Sequence, residues 1–345
     1  MAFEGPVFAI PTPFREKDPG TPVSPDDGFK ASECIDSEGF LAFLKFLESK
    51  GVKTVLPGGT TGEFPSMSMQ ERKYLTELCA KNFVGAGMSV IGNVSSCCVQ
   101  DSIDLCKHAK EVGCKAVLML PPYYFNSAQR VEAFFAAVLS SCEIPAYLYN
   151  FPKHSGNAIT PDMYARLGAR FPNVLVGIKD SAGSVEGALT FKSAWPQGRV
   201  YAGNDRLALA VQRAGLAGTV PGTGCSCPEL LAAIHRGGKR LYAGEGCAAP
   251  LGDEERAALE AKLERIQAEM MRWLNYIDSI KHAEKVGITK VAINRRMLTA
   301  AGGEGKRAFG AACRLPLGSV PAEEVGNIER EAGRWEPVWA EAVAA

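Results

Sequence analysis

Short apolar runs rich in β-branched and aromatic residues recur along the 345-residue chain. They are Val7–Pro13, Thr54–Gly59, Ser89–Ser95, Ala116–Tyr124, Ala146–Phe151, Val174–Asp180, Arg199–Asp205 and Gly218–Gly224. Each has the length and side chains of a strand buried on both faces. Most end in Gly, Pro, Asn or Asp, residues that favour turns. Between them the apolar period changes to that of a helix. Phe40, Phe43, Leu44 and Leu47 share one face. Ser68 with Glu71 forms a capping box for a helix over Gln70–Val84. Further helices are predicted at Gln100–Val112, Ala128–Ser141, Pro161–Phe171, Val185–Trp195 and Arg206–Ala214. Thr160-Pro161 supplies an N-cap and a first-turn proline.

Strands alternating with helices, at a spacing of roughly 30 residues, predict an α/β protein of the (β/α)8 TIM-barrel kind. The alternative is a doubly wound open sheet, which usually carries G-x-G-x-x-G after its first strand. Here that strand ends in Pro11-Thr12-Pro13-Phe14. A long stripe follows the eighth strand over Glu254–Lys285: Leu259, Leu263, Ile266, Met270, Leu274 and Ile277. It predicts a helix covering the barrel or a neighbouring subunit. The organisation expected is a barrel over residues 1–225, a C-terminal helical region over 226–317 packed on it, and a peripheral tail over 318–345.

Composition narrows the function. Lys plus Arg number 38, as do Asp plus Glu, so the formal charge is zero. No basic excess exists to neutralise nucleic-acid phosphates or an anionic membrane surface. No run approaches the ~18 apolar residues of a membrane span. Met1–Thr12 lacks the pattern of a secretory signal, so a cytoplasmic location is expected. The eleven cysteines then read as reduced, mostly buried side chains. Cys97-Cys98 and Cys225-x-Cys227 lack zinc-site spacing, and metal is not expected.

Chemistry in barrel enzymes gathers at the C-terminal strand ends. Those ends carry Gly58-Gly59-Thr60-Thr61-Gly62-Glu63, Pro121-Pro122-Tyr123-Tyr124, Tyr149-Asn150-Phe151-Pro152, Lys179-Asp180-Ser181, Gly203-Asn204-Asp205 and Pro221-Gly222-Thr223-Gly224. Lys179 closes an apolar strand. Alternation sets Leu175, Gly177 and Lys179 on one face and Val176, Ile178 and Asp180 on the other. With Val176 and Ile178 toward the helices, Lys179 points into the barrel mouth. Burial disfavours a charged amine and frees it as a nucleophile. The plainer alternative is a rim lysine paired with a carboxylate. Schiff-base chemistry also needs a proton shuttle and carboxylate donors. Tyr149 and Tyr124 offer hydroxyls, and Thr60-Thr61 lies in a glycine-flanked turn suited to an anion.

With these motifs in order, the sequence resembles the dihydrodipicolinate synthase / N-acetylneuraminate lyase superfamily of class I, pyruvate-type aldolases. The likeness rests on Gly59-Thr60-Thr61-Gly62-Glu63, Tyr149-Asn150-x-Pro152 and Gly177-Ile178-Lys179-Asp180, and runs from about Val7 to Leu317. It implies a TIM barrel and a covalent Schiff base at Lys179, with no cofactor. Tyr149 is the implied general acid/base. Thr60 and Thr61 hold the carboxylate, and Tyr124 completes a relay with Thr61. In the synthase branch that tyrosine, here Tyr123 or Tyr124, crosses a tight-dimer interface. Gly203 and Val220 line the pocket. A homotetramer or dimer is implied, with pyruvate or another 2-oxo acid and an aldehyde as reactants.

Two departures bear on substrate. The synthases place an arginine two positions after Tyr-Asn-x-Pro, where this chain has His154, which lacks the bidentate fork. Lys179-Asp180-Ser181-Ala182-Gly183 and Gly203-Asn204-Asp205 look more like the sugar-acid aldolases. The expected reaction is therefore cleavage or formation of a C–C bond in a 2-keto-3-deoxy sugar acid or a 4-hydroxy-2-oxoglutarate-like compound. His154 or Ser181 is expected at the distal hydroxyls. Alternatives are dihydrodipicolinate synthesis from aspartate semialdehyde and a non-catalytic barrel binding a 2-oxo acid. The second departure is a long loop, Arg15 to Asp36, expected to influence substrate choice or to lie as solvated surface.

Overall fold

A computed structural model of the chain describes residues 5–15, 31–83, 87–125, 127–242, 251–300 and 309–344. Most of the Arg15–Asp36 loop lies outside them. Eight parallel strands follow one another in sequence order around a single sheet. They are β1 (Val7–Ala9), β2 (Thr54–Leu56), β3 (Ser89–Asn93), β4 (Ala116–Met119), β5 (Ala146–Asn150), β6 (Leu175–Asp180), β7 (Arg199–Ala202) and β8 (Gly218–Thr219). The Ala9 N–H donates to the Pro221 carbonyl at 2.8 Å, drawing the last strand's exit onto the first. The fold is a (β/α)8 barrel with extra C-terminal helices.

Every strand is shorter than its apolar run. Pro11 and Pro13 follow β1, and Pro121 and Pro122 follow β4. Proline has no N–H for the ladder, so pairing stops before it. The runs continue as the catalytic-end loops.

Two apolar layers result. Val7, Leu56, Ile91, Leu118, Tyr147 and Tyr201 fill the barrel. Phe8, Val55, Val90, Val117, Leu148 and Val200, their chain neighbours, face the helices. Strict alternation fails on β6. Ala146 pairs with Leu175, but Tyr147 pairs with Gly177, so one residue is extra. This bulge sends Leu175 to the helix layer and Val176 to the inner cluster. The expected outward Val176 is thus corrected, while Ile178 does face the helices. Gly177 fits because a Cβ there would lie 2.2 Å from the Arg199 carbonyl.

The helices between the strands match their patterns to within a residue or two, whereas the one expected over Glu254–Lys285 stops at Ser279. Ser68 and Glu71 exchange both capping-box bonds ahead of the helix Met69–Phe83, at 2.9 and 3.2 Å. The stripe after β8 forms the helix Asp253–Ser279, and a separate helix follows at Lys285–Ala300. The segment after residue 318 is less peripheral than expected. Its helix Ala322–Ala344 buries Ile328, Ala332 and Trp339. No described helix is long and apolar enough to cross a membrane.

Candidate active site

The strand register sets Tyr149 beside Lys179 and Asn150 beside Asp180. Asn150 straps the two strands together. Its Nδ2 donates to Asp180 Oδ1 at 2.7 Å, and its Oδ1 accepts the Ile159 N–H at 3.0 Å. Lys179 is 5% exposed, and its Nζ lies 4.1 Å from the centroid of the Tyr149 ring. Beneath it a cavity of about 20 Å³ is walled by Val7, Leu56, Ile91, Leu118 and Val220. That floor holds about one water and has little to solvate a charge.

Tyr149 points its hydroxyl across the barrel. Thr60 Oγ1 lies 3.3 Å away, within reach of a hydrogen bond. Thr61 turns toward β8's exit, where a Cβ on Gly222 would come within 2.3 Å of Thr61 Oγ1. Glycine is therefore needed at 222 if Thr61 is to hold that position. The same holds at Gly203, where a Cβ would meet Ser181 Oγ at 1.8 Å and Lys179 Cε at 3.0 Å. Thr60, Thr61, Ser181, Gly203 and Gly222 are all half-buried around the mouth.

His154 stands further out. The Tyr149 ring stacks on Phe151 at 5.6 Å, and Phe151 meets the exposed His154 ring at 4.3 Å. Three rings thus lead from the buried hydroxyl to the rim. Tyr124 does not join them within this chain. It is 79% exposed and packs edge-on against Phe125, itself 78% exposed. The expected relay through Tyr124 is not assembled inside one chain.

The chain pattern gave no role to Asp205, which the fold buries within electrostatic reach of Lys179. Its Oδ2 accepts the Gly224 N–H at 2.7 Å, pinning the loop after β8. Burial pushes its carboxyl up, while the Gly224 and Gly222 amides and the Lys179 charge pull it down. Its position directly after Gly203-Asn204 at a strand end was the available signal. Among the described residues no three His, Cys, Asp or Glu side chains cluster as metal ligands.

This arrangement can be compared with known proteins. The profile of the dihydrodipicolinate synthetase family matches residues 22–315. The chain belongs to that family. Among its relatives is the 2-dehydro-3-deoxy-D-gluconate/2-dehydro-3-deoxy-phosphogluconate aldolase of Thermoproteus tenax, 34% identical over 71% of this chain and 74% of that protein. The 4-hydroxy-tetrahydrodipicolinate synthase of Hyphomonas neptunium is 33% identical over 68% of this chain and 74% of its own length. Among solved structures, KD(P)GA from T. tenax superposes with a TM-score of 0.70 at 27% identity, covering 96% of this chain and 99% of that one. The Ruminococcus gnavus sialic acid aldolase, at 23% identity, shares the fold, with a TM-score of 0.77 over 99% and 98% of the two chains. The match to the dihydrodipicolinate synthetase family spans all eight strands but the first.

Proposed function

We propose that the protein is a class I aldolase that cleaves or forms a C–C bond between pyruvate and an aldehyde through a Schiff base on Lys179. The observation that carries this is one buried amine, 4.1 Å from the Tyr149 ring, whose hydroxyl reaches Thr60. A site that only bound a 2-oxo acid would need the threonines but no desolvated nucleophile.

In the cleavage direction, Lys179 Nζ attacks the keto carbon, and loss of water leaves a protonated imine. Tyr149 gives its phenol proton to the departing hydroxyl as that water leaves, and the resulting phenolate takes the proton from the 4-hydroxyl. The C3–C4 electron pair flows into the imine, the aldehyde departs, and an enamine remains. Protonation at C3 and hydrolysis release pyruvate and restore the amine. Thr60 and Thr61 hold the carboxylate throughout.

The substrate class we favour is a 2-keto-3-deoxy sugar acid. His154 in place of the synthase arginine supports it, as does the 34% identity to the T. tenax aldolase. His154 and Ser181 then face the distal hydroxyls. A second reading, condensation of pyruvate with aspartate semialdehyde, draws on the similar identity to the H. neptunium synthase. A homo-oligomer in which Tyr124 meets a partner's site fits its exposure.

Borohydride with pyruvate should add mass irreversibly at Lys179, and Lys179→Ala should lose both labelling and turnover. Full activity in Lys179→Ala would sink the mechanism. A retro-aldol panel with pyruvate detection, run beside the semialdehyde condensation, separates the two substrate readings. Efficient condensation would favour the synthase.

A further inference from the structure

The Gly59–Glu63 turn ends on a carboxylate that the chemistry above leaves unused. Glu63 has φ of 60°, and no other non-glycine among the described residues has positive φ. That conformation is costly for an L-residue and persists only where its surroundings enforce it. The enforcement is visible. Lys290 Nζ donates to Glu63 Oε1 at 2.5 Å, with both side chains wholly out of solvent. The Arg314 backbone N–H donates to Oε2 at 2.8 Å.

These donors come from far along the chain. Lys290 sits in the helix Lys285–Ala300 and also donates to the Ala312 carbonyl at 2.6 Å. Its Nζ lies 4.8 Å from the centroid of the Phe14 ring, and the Arg314 guanidinium lies 4.2 Å from the same ring. Arg314 also grips Glu71 with a bidentate fork. The C-terminal strap is thereby bolted to the turn and to the helix behind it.

The turn's own bonds carry that hold to the site. The Glu63 N–H donates to the Thr60 carbonyl at 3.0 Å, and the Phe64 N–H to the Gly59 carbonyl at 3.3 Å. Thr12 Oγ1 donates to the Gly62 carbonyl at 2.7 Å. Gly62 closes so tightly that a Cβ would lie 2.7 Å from Gly58 N. A buried ion pair is a weak source of stability compared with apolar packing of the same volume, so its use here is better explained by orientation.

We propose that Glu63 and Lys290 are positioning residues for the Thr60–Thr61 carboxylate anchor, and that the strap around Ala312–Arg314 is therefore part of 2-oxo acid capture. Neither touches substrate; both act through the turn. The proposal rests on the Schiff-base reading of Lys179.

The test compares wild type with Glu63→Gln, Lys290→Met and the double variant. Two quantities are read: the melting temperature, and the pyruvate concentration giving half-maximal borohydride labelling of Lys179. Each single variant should raise that concentration by about tenfold or more. Labelling at saturating pyruvate should still reach the wild-type extent. The double variant should be no worse than the weaker single, because the pair acts as one unit. Lower melting temperatures with unchanged half-saturation, or additive losses, would overturn the positioning role. If Glu63→Gln does not fold, Lys290→Met reads the same quantity, and its own unchanged half-saturation counts against the proposal. Absence of labelling in the wild type overturns the Schiff-base reading instead, and is seen in the control before any variant is compared.

Discussion

Asp180, next to Lys179, is buried with one oxygen served and the other bare. Its Oδ1 accepts Asn150 Nδ2 at 2.7 Å and the Ala182 N–H at 3.2 Å, while no described group bonds Oδ2. Burial raises its carboxyl above the ordinary aspartate range, and the two bonds offset that only in part. A raised folded pKa means that the folded state holds the proton more tightly. The stability this gives is full below the unfolded value of about 3.9 and is lost as pH rises through the folded pKa. Asp180→Asn keeps the two accepted bonds and removes the titration. Its urea midpoint should therefore gain on the wild type as pH rises above about 4. A difference that stays flat over that rise would mean Asp180 bears no ionisation cost. The strand-end position of Asp180 was legible in the chain pattern, but its lone unbonded oxygen was not, because that depends on which neighbours the turn supplies.

At the scale of elements, the number and order of strands were readable because each is a nearly unbroken apolar run. Their ends were not, since the runs continue into loops such as Pro121-Pro122-Tyr123-Tyr124 that are apolar for reasons of site and contact. The bulge on β6 was also invisible. Val174-Leu175-Val176-Gly177-Ile178 reads the same with or without an extra residue, and only pairing with β5 shows the jump from Leu175 to Gly177. Lys179 lines the inner cavity because alternation resumes after the bulge. Gly177 is the residue that permits it. A Cβ there would strike the Arg199 carbonyl at 2.2 Å and the Tyr147 ring at 2.5 Å, and the carbonyl belongs to the paired strand and cannot swing away. Gly177→Ala should cost about 1–3 kcal/mol or more by urea denaturation. A loss below the noise of such a titration would show that β6 can shift its register, and that Lys179 is less rigidly placed than the bulge implies.

For the whole molecule, zero net charge removes any general field for anions, so the carboxylate binding proposed at Thr60-Thr61 relies on local groups. The C-terminal third then has a purpose beyond covering the barrel. The segment after residue 318 reads as a peripheral tail because it extends past the barrel pattern, and it buries only a few apolar side chains. Those few are deeply placed. Trp339 is wholly buried and meets Trp273 edge-on at 5.4 Å. Trp273 Nε1 donates to Ser226 Oγ at 2.8 Å, in the turn that leaves β8. Arg296, 4.9 Å from the Trp339 ring, donates to the Ser226 carbonyl at 2.7 Å and pairs with Glu229 and Glu336. The tail helix is therefore wedged against groups that hold the loop after β8, the loop whose Gly222 faces Thr61. Trp339→Ala empties an aromatic site in a wall that cannot easily collapse, and should cost about 3–5 kcal/mol. Urea unfolding reads this as a lower midpoint with an unchanged slope if tail and barrel unfold as one unit. Two separated transitions would show the tail region melting by itself, and a midpoint identical to wild type would return residues 318–345 to the status of an appendage.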